Sequence, residues 1–335
     1  MDAFLGALLN AWWQGIVLTL LVWLVLRDLP RVSAATRVAI WHVTLLAVLL
    51  LPVLQRIPWP SWQVEKQRGP AVMGPASTAA IEPIAAAPPP LRRPIVELSQ
   101  DDGFEVLVAV SIALVFLQLL RLSFGYWAVR RLKRKARRAG IAMPVALARP
   151  VDVLVSERIG MPMAVGYRRP AILLPRAMAE RLTPEQLRHV LLHESAHLRR
   201  HDDWLTLGER LLRAIFFFQP AVHAIGRQID REREIACDDW VIAQQAGAVK
   251  PYAASLARVA ELGSPGRRAP MLATGAGRPK EIFRRLDTLL DRTRNRMPGV
   301  SEPVLMMAGL ALLLAVWQAF RSCRSPRLET LFFCQ

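Results

Sequence analysis

Two histidines and a glutamate stand close together in the segment His193-Glu194-Ser195-Ala196-His197. In a helix, residues four apart lie on one face, so both imidazoles could bind a single zinc ion at about 2 Å each. Glu194 would then reach the open side of the metal and take a proton from a bound water. This spacing predicts the centre of a zinc peptidase. The alternative is two ordinary histidines in a core or on a surface.

The residues before this segment predict the helix that must position it. Thr183 is suited to the N-cap, Pro184 to the first helical position, and Gln186 to closing a capping box. An apolar side can be formed by Leu187, Val190, Leu191, Ala196 and Leu198. We therefore expect a buried helix whose two histidines point into the protein.

Catalytic zinc usually has three protein ligands and one position for water. The extended pattern with glycine at 200 and histidine at 203 is excluded, because this chain has Arg200 and Asp203. A glutamate from a later helix is the other common solution, and Glu234 stands about 37 residues after His197. Asp238, one turn further, could orient a ligand histidine from behind. The alternative is a solvated helix of mixed charge.

The motif and its surroundings together resemble one protein family. Residues 193–202 follow the pattern HExxHxxRxD of the BlaR/MecR-type antirepressor family of integral-membrane zinc metallopeptidases. Phe218-Gln219-Pro220 is similar to the aromatic-x-Pro step between that family's two zinc helices, and residues 233–238 to its RExxCD segment. Residues 162–166 and 169–175 look like its strand region ahead of the zinc helix. The resemblance covers about residues 1–295.

The resemblance implies a gluzincin-like α+β zinc peptidase domain. In such a domain, zinc (Zn²⁺) would be bound by His193, His197 and Glu234, with Glu194 as the catalytic base. His201 also stands four residues after His197, so it could compete for metal or be a partly exposed polar residue. Cys237 lies three residues after Glu234 and is expected to pack as a small buried residue rather than to bind zinc.

Composition and charge together indicate a membrane protein. Of the 335 residues, 53% are apolar, yet the net charge is +17, so basic and apolar residues must be segregated. Nearly uncharged runs occupy residues 4–26, 38–55, 104–120 and 303–320, each close to the roughly 20 residues that cross a bilayer. Tryptophans near several ends of these runs favour membrane spans over buried helices of a soluble protein.

Basic residues predict the orientation in the membrane. They cluster after the first run, at Arg27, Arg31 and Arg37, and after the third run, in residues 130–138. Both clusters should face the cytoplasm of a bacterial inner membrane, as would the zinc site.

We expect a mainly α multi-pass membrane protein with about four transmembrane helices. The expected parts are two spans in 1–56, an extracytoplasmic Ala/Pro-rich flexible loop in 57–103, a third span in 104–125, the cytoplasmic peptidase domain in 126–300, a fourth span in 301–321 and a short outer tail in 322–335.

Three further segments have distinct expectations. Residues 126–138 are expected to form a basic helix, whose position after a span favours binding to anionic lipid headgroups over nucleic acid. Val151–Val155 and Ala171–Leu174 are expected as strands, which could either pair with an extended substrate or simply pack under the zinc helix. Residues 204–225 are expected to form an apolar helix, interrupted by charges, that belongs to the core with partial membrane contact.

The resulting hypothesis is a zinc metalloendopeptidase that cleaves a cytoplasmic protein. The resemblance implies an antirepressor pathway, with a repressor of the BlaI/MecI type as substrate and no direct contact with nucleic acid. Relatives that sense β-lactams have a penicillin-binding domain after the last span, whereas about fifteen residues follow Phe320 here. We therefore expect a separate sensor subunit or another signal. A homo-oligomer is a further expected form of assembly. The alternative is a non-catalytic membrane signalling scaffold whose structural zinc site is completed by His201, Cys237 or Asp238.

Overall fold

The structure is a computed structural model that describes residues 2–29, 31–54, 100–263, 279–291 and 293–322. The chain forms two compact units, one made of Met1–Arg56 and Leu114–Gln335 and the other of Ile57–Ala113. Nearly all of the expected Ala/Pro-rich loop and of the expected tail lies outside the described residues.

The described residues are mostly helical, with one small sheet. In chain order the elements are α1 (Asp2–Asp28), α2 (Ala34–Leu54), α3 (Gln100–Lys135), β1 (Arg137–Arg138), β2 (Asp152–Ser156), β3 (Met163–Val165), β4 (Ala171–Pro175), α4 (Arg176–Arg181), α5 (Pro184–Arg199), α6 (Asp202–Ile215), α7 (Pro220–Gln244), α8 (Val249–Leu262), α9 (Pro279–Leu290) and α10 (Glu302–Ser322).

Three of the described helices are long and apolar enough to cross a membrane. Their apolar segments are Asn10–Asp28 in α1, Ala34–Val53 in α2 and Glu105–Lys135 in α3. The expected fourth span corresponds to α10, whose described apolar part, Glu302–Leu312, is shorter than a membrane span. Apolar helices at these places agree with the expectation, and the number of spans remains a prediction.

The sheet has the strand order β1-β2-β4-β3. β2 and β4 are parallel, and β1 and β3 pair with them in antiparallel fashion. Both expected strands are therefore present, but they occupy the centre of the sheet, where each has a neighbour on both sides. The edge on the side of β4 is β3, whose three residues are buried. A substrate strand could be added at β3 but not at the two strands that the sequence indicated.

Helix α5 begins as the sequence predicts and lies in the core. Thr183 Oγ1 accepts a hydrogen bond from the backbone amide of Gln186, whose side chain accepts one in return from the Thr183 amide. One side of the helix packs against the sheet through Val190, Leu191 and Leu198. The other side packs against α7 and α8 through Leu192 and Ala196. A helix covered on both sides has to carry both histidines inside the protein.

Residues 204–225 do not form one helix, contrary to the expectation. α6 ends at Ile215, and α7 begins at Pro220, which is suited to a first helical position because it has no N–H to satisfy. The two helices are joined by a turn made of residues 216–219. α7 then runs for 25 residues beside α2 and reaches the α5 region with its second half. The turn thus allows α7 to place Glu234 beside α5.

Candidate metal centre

The structure brings the side chains of His193, His197 and Glu234 together. One ligand-type atom from each lies within 4.8 Å of the others, and all three side chains are buried. His193 Nε2 is 3.5 Å from Glu234 Oε2, and His197 Nε2 is 3.7 Å from Glu234 Oε1. The two rings are nearly perpendicular, with centroids 5.0 Å apart. Both Nε2 atoms therefore face the same carboxylate.

The opposite nitrogen of each histidine faces another carboxylate. His193 Nδ1 lies 3.1 Å from Asp238 Oδ1, and His197 Nδ1 lies 2.9 Å from Asp202 Oδ2. A proton held on Nδ1 by a carboxylate leaves the lone pair on Nε2, which is the tautomer that a metal requires. The position of Asp238 is the one that the sequence suggested for it. The role of Asp202 was not predicted from the sequence, although Asp202 is the aspartate that ends the HExxHxxRxD pattern.

Arg285 and Tyr252 are also part of this cluster. Arg285 Nε donates a hydrogen bond of 2.9 Å to Asp238 Oδ2, and Tyr252 Oη donates one of 2.7 Å to Asp238 Oδ1. Arg285 Nη1 lies 3.2 Å from Glu234 Oε2. Tyr252 belongs to α8 and Arg285 to α9, which places them 59 and 92 positions after His193 in the sequence. No local pattern in the sequence connects them with the motif, so sequence analysis missed them.

The electrostatics of the cluster favour a positive charge between the carboxylates. Burial and the charge of Arg285 oppose protonation of His193, but its hydrogen bonds to Asp238 and Glu234 outweigh them and raise its pKa to about 9. Burial would raise the pKa of Glu234, but His193, His197 and Arg285 lower it to about 2. The pKa of Asp238 is lowered in spite of burial, chiefly by the charge of Arg285. The carboxylates thus stay ionised in the interior.

Glu194 lies beside the cluster and lines a small pocket. Its side chain is buried, and the pocket, of about 40 Å³, is also lined by His193. Pro162, directly before β3, forms one wall, and Ile282 and Arg285 of α9 form another. A carboxylate next to His193 on the lining of a pocket is in a position to meet a water or a peptide that enters it.

A second group of ligand-type side chains consists of His197, Asp202 and Cys237. It uses Nδ1 of His197, which the carboxylate of Asp202 already holds, and Cys237 Sγ lies 3.4 Å from the same nitrogen. Burial raises the pKa of the Cys237 thiol well above its ordinary value, which disfavours the thiolate that binds zinc. Cys237 is buried, as expected. His201 is exposed and forms the N-cap of α6 with a positive φ of 58°.

The donor set formed by His193, His197 and Glu234 matches the preference of zinc. Two imidazole nitrogens and one carboxylate are a common catalytic set, with the fourth position left for water or substrate. Glu234 Oε2 is buried, and it faces His193 Nε2 at 3.5 Å and Arg285 Nη1 at 3.2 Å. Among the described residues, no fourth ligand-type side chain lies equally close to all three. These residues therefore fit a catalytic zinc ion better than a closed structural site.

A much larger cavity, of about 1080 Å³, lies away from the histidines. It is bordered by the basic end of α3 and by the loop before β4, and six of its lining residues are cations: Arg130, Lys133, Arg134, Arg138, Arg168 and Arg169. None of the three clustered ligand-type side chains lines it. The size of a cavity therefore does not locate the chemistry in this protein, whereas the convergence of polar groups does.

Comparison with known proteins places the chain in a family. The model of the BlaR1 peptidase M56 family matches residues 7–289. The chain belongs to this family. The match includes all residues of the cluster, from His193 to Arg285, and most of the apolar helices.

Individual relatives are similar over shorter stretches. The methicillin resistance mecR1 protein of Staphylococcus aureus is 27% identical over 92 residues, which is 28% of this chain and 16% of the relative. The regulatory protein BlaR1 of Bacillus licheniformis is 32% identical over 87 residues, or 26% of this chain and 14% of the relative. The regulatory protein BlaR1 of Staphylococcus aureus is 26% identical over 87 residues. The matched part is thus a small fraction of each relative's length.

Proposed function

We propose that this protein is a membrane-embedded zinc metalloendopeptidase with zinc bound by His193, His197 and Glu234. The convergence of these three side chains on one point supports the proposal. When bound, zinc supplies Lewis acidity, which lowers the pKa of water and polarises a peptide carbonyl. Membership in a peptidase family agrees with this chemistry.

The chain's own residues then divide the remaining work. Glu194, beside His193 in the pocket, takes a proton from the attacking water and passes it to the leaving amide nitrogen. Asp238 and Asp202 hold the two imidazoles through Nδ1. Arg285 holds Asp238 in turn, so that the ligand geometry is fixed before a substrate arrives.

The edge strand β3 suggests how a substrate would be held. β3 pairs with β4 on one side only, and Pro162 at its start borders the pocket that contains Glu194. An extended peptide that pairs with β3 would gain backbone hydrogen bonds and pass the pocket. This arrangement suits cleavage within a polypeptide chain, because an added strand can continue past the pocket in both directions.

The substrate that we propose is a cytoplasmic transcriptional repressor of the BlaI/MecI type, in an antirepressor pathway. The names of the similar proteins, a methicillin resistance protein and a regulatory protein, support a signalling role. We place the zinc site on the cytoplasmic side of a bacterial inner membrane. Three helices long enough to span a bilayer and the basic end of α3 support this location.

The substitution Glu194→Gln tests the proposed chemistry. We expect cleavage to fall by about 100- to 10,000-fold, because a general base is lost, while zinc content stays at one ion per chain. Full-length protein in proteoliposomes would be incubated with a mixture of cytoplasmic proteins. Mass spectrometry would then identify the new chain ends of the cleaved proteins. Glu185→Gln, an exposed glutamate of the same helix, is the matched control and should cleave normally.

The outcome also decides between the peptidase and the signalling scaffold. A scaffold with structural zinc would give the same fragments, or none, for wild type and Glu194→Gln. His193→Ala should lose zinc by metal analysis. Wild-type cleavage by Glu194→Gln would refute the role of Glu194, and full zinc in His193→Ala would refute the ligand assignment.

A further inference from the structure

α6 has an exposed face that is entirely apolar. Its exposed side chains recur at helical spacing, and Trp204 and Leu211 are 49% and 41% exposed. Phe218 in the following turn is 50% exposed and continues this face. We call these residues the α6 stripe: Trp204, Leu205, Gly208, Leu211, Ile215 and Phe218. A helix on the surface of a soluble protein normally shows water its polar side.

The charged residues of α6 point the other way, into the protein. Glu209 is buried, pairs with Arg233 of α7 and lies 3.0 Å from His42 Nε2 of α2. Arg213 Nη2 lies 3.1 Å from Asp230 Oδ2 of α7. A helix with apolar groups outside and paired charges inside is typical of an environment made of lipid, where ionisable groups face the interior of a bundle and pair.

The turn between α6 and α7 lies at the N-terminal end of the apolar segment of α1. Trp12 Nε1 donates a hydrogen bond of 3.2 Å to the carbonyl of Phe218, and Gln219 Nε2 donates one of 3.2 Å to the carbonyl of Ala11. The approach is close, since a Cβ atom on Gly15 would lie 2.9 Å from Gln219 Nε2. The apolar segment of α1 begins at Asn10 and ends at Asp28, so the turn is beside its start.

The second half of α7 lies at the opposite end of the same helices. Ala236 shares a buried cluster with Ala34 and Ala35, at the beginning of α2. Ala221, at the beginning of α7, lies instead near Val48, close to the end of α2. α7 is therefore antiparallel to α2 and follows it over most of its length.

We propose that α6 and the first half of α7 form a hairpin inserted into the bilayer beside α1 and α2, with the α6 stripe against lipid acyl chains. The apolar face of α1 that is exposed next to the turn includes Trp12 and Trp13, so the two surfaces continue each other. The turn at residues 216–219 lies at the membrane face opposite to the metal centre. Neither helix is among the three candidate spans of the described residues, because α6 has only 14 residues and α7 has charged side chains on its inward side.

The hairpin gives the metal centre a direct connection to the far side of the membrane. Pro220 and Glu234 belong to one uninterrupted helix and are fourteen residues apart, which corresponds to about 21 Å. A displacement of the turn would move the carboxylate of Glu234 relative to His193 and His197.

Spin labels on the full-length protein in liposomes test the insertion. The background variant has Cys237→Ala, Cys323→Ser and Cys334→Ser. In this variant, a single cysteine replaces Leu211 or Ile215 and receives the spin label. Leu21, on the exposed face of α1, is the lipid control, and Glu180 is the water control. We expect the spin labels at Leu211 and Ile215, like the label at Leu21, to be more accessible to oxygen than to a water-soluble nickel complex. A preference for nickel, as at Glu180, would overturn the proposal.

Sidedness at the turn gives an independent test. Pro220→Cys, an exposed residue at the end of the turn and outside the α6 stripe, should react with a membrane-impermeant maleimide from the membrane face opposite to the one that labels Arg181→Cys, an exposed residue of α4. Labelling from the same face as Arg181→Cys, or from neither face, would overturn the placement of the turn. Zinc content is measured for each variant to confirm that the protein is folded.

Discussion

Two groups of charged side chains lie along α7, and they differ in the partners that their carboxylates face. In the hairpin group, two carboxylates, Glu209 and Asp230, face two guanidinium groups, Arg213 and Arg233. In the metal-centre group, three carboxylates surround the histidines, and Arg285 is the guanidinium shared by Glu234 and Asp238. The two groups are linked, because Asp202 also lies 3.6 Å from Arg233 Nε and from Arg200 Nε, and they differ in that the second has two imidazole nitrogens facing the carboxylate of Glu234.

The difference separates a structural role from a chemical one. Paired charges in the hairpin join α6, α7 and α2 in an environment where unpaired charge is costly. In the metal centre, the two Nε2 atoms face Glu234, whose Oε2 also lies 3.2 Å from Arg285 Nη1, and the carboxylates of Asp202 and Asp238 hold the Nδ1 atoms. Substitutions in the first group should therefore affect stability, and those in the second should affect metal binding.

The largest effect is expected for Arg233→Met in the hairpin group. Removal of the guanidinium takes the most deeply buried cation away from Glu209 and Asp202, leaving Glu209 with His42 and Arg213, and should cost about 3–5 kcal/mol of the free energy of unfolding. Urea unfolding in detergent measures the change. Arg231→Met, which alters an exposed residue of the same helix, is the matched control and should unfold like the wild type. Equal stability of the two variants would contradict the structural role of the pairs.

Asp238→Asn and Asp202→Asn should each weaken zinc binding by about 10- to 100-fold, because the imidazoles lose the carboxylates that orient them. Titration against a competing chelator gives the affinity. Asp230→Asn removes a carboxylate from the hairpin group and should leave the affinity unchanged. If Asp230→Asn weakens zinc as much as the other two, the separation of the groups is wrong.

The metal-free protein should lose stability as the pH rises, through His193. Its pKa is raised from 6.5 to about 9, so the protonated imidazole stabilises the fold fully below pH 6.5 and this contribution disappears as the pH passes about 9. Zinc competes with the same proton, so its affinity should increase over this range. Thermal unfolding with and without zinc measures both trends. His193→Gln should abolish the pH dependence of the metal-free protein, and a dependence that persists would point to another group.

The smallest effect is expected outside both groups. Arg176 pairs with Glu157 and Glu180 on the surface, where water and salt screen the interaction. Arg176→Ala should change neither the unfolding midpoint nor the zinc affinity by a measurable amount. A clear loss of either would mean that the contrast between buried and exposed pairs does not determine the role of a charge here.

The sequence predicted those parts of the site that are encoded locally. The capping box at Thr183 and the four-residue spacing of His193 and His197 depend only on helix geometry, and both were readable without the fold. Glu234 and Asp238 could be named because a charged helix at the right distance is a common partner of such a motif. The strands at 152–156 and 171–175 followed from short apolar runs, whereas their central position in the sheet did not.

The structure of residues 204–225 was predicted only in part, because average hydropathy hides which side of a helix is charged. The segment was expected to be one helix of the core with partial membrane contact, and it is a helix, a turn and the start of another helix, with an exposed apolar side. Likewise, nothing near the motif indicated that Arg285 would hold Asp238, since the two residues are 47 positions apart. Contacts of this kind arise only when helices from distant parts of the chain pack together.

By itself, the sequence determined which residues could bind a metal, which helix begins at Thr183 and which segments are apolar enough to enter a membrane. These properties depend on residue type and on spacing within one element. The tertiary structure decided which carboxylate faces which nitrogen, that β3 is the edge of the sheet, and that α6 turns its charges inward. These properties depend on the relative placement of separate elements, which is set by the packing of α2, α5 and α7 against each other.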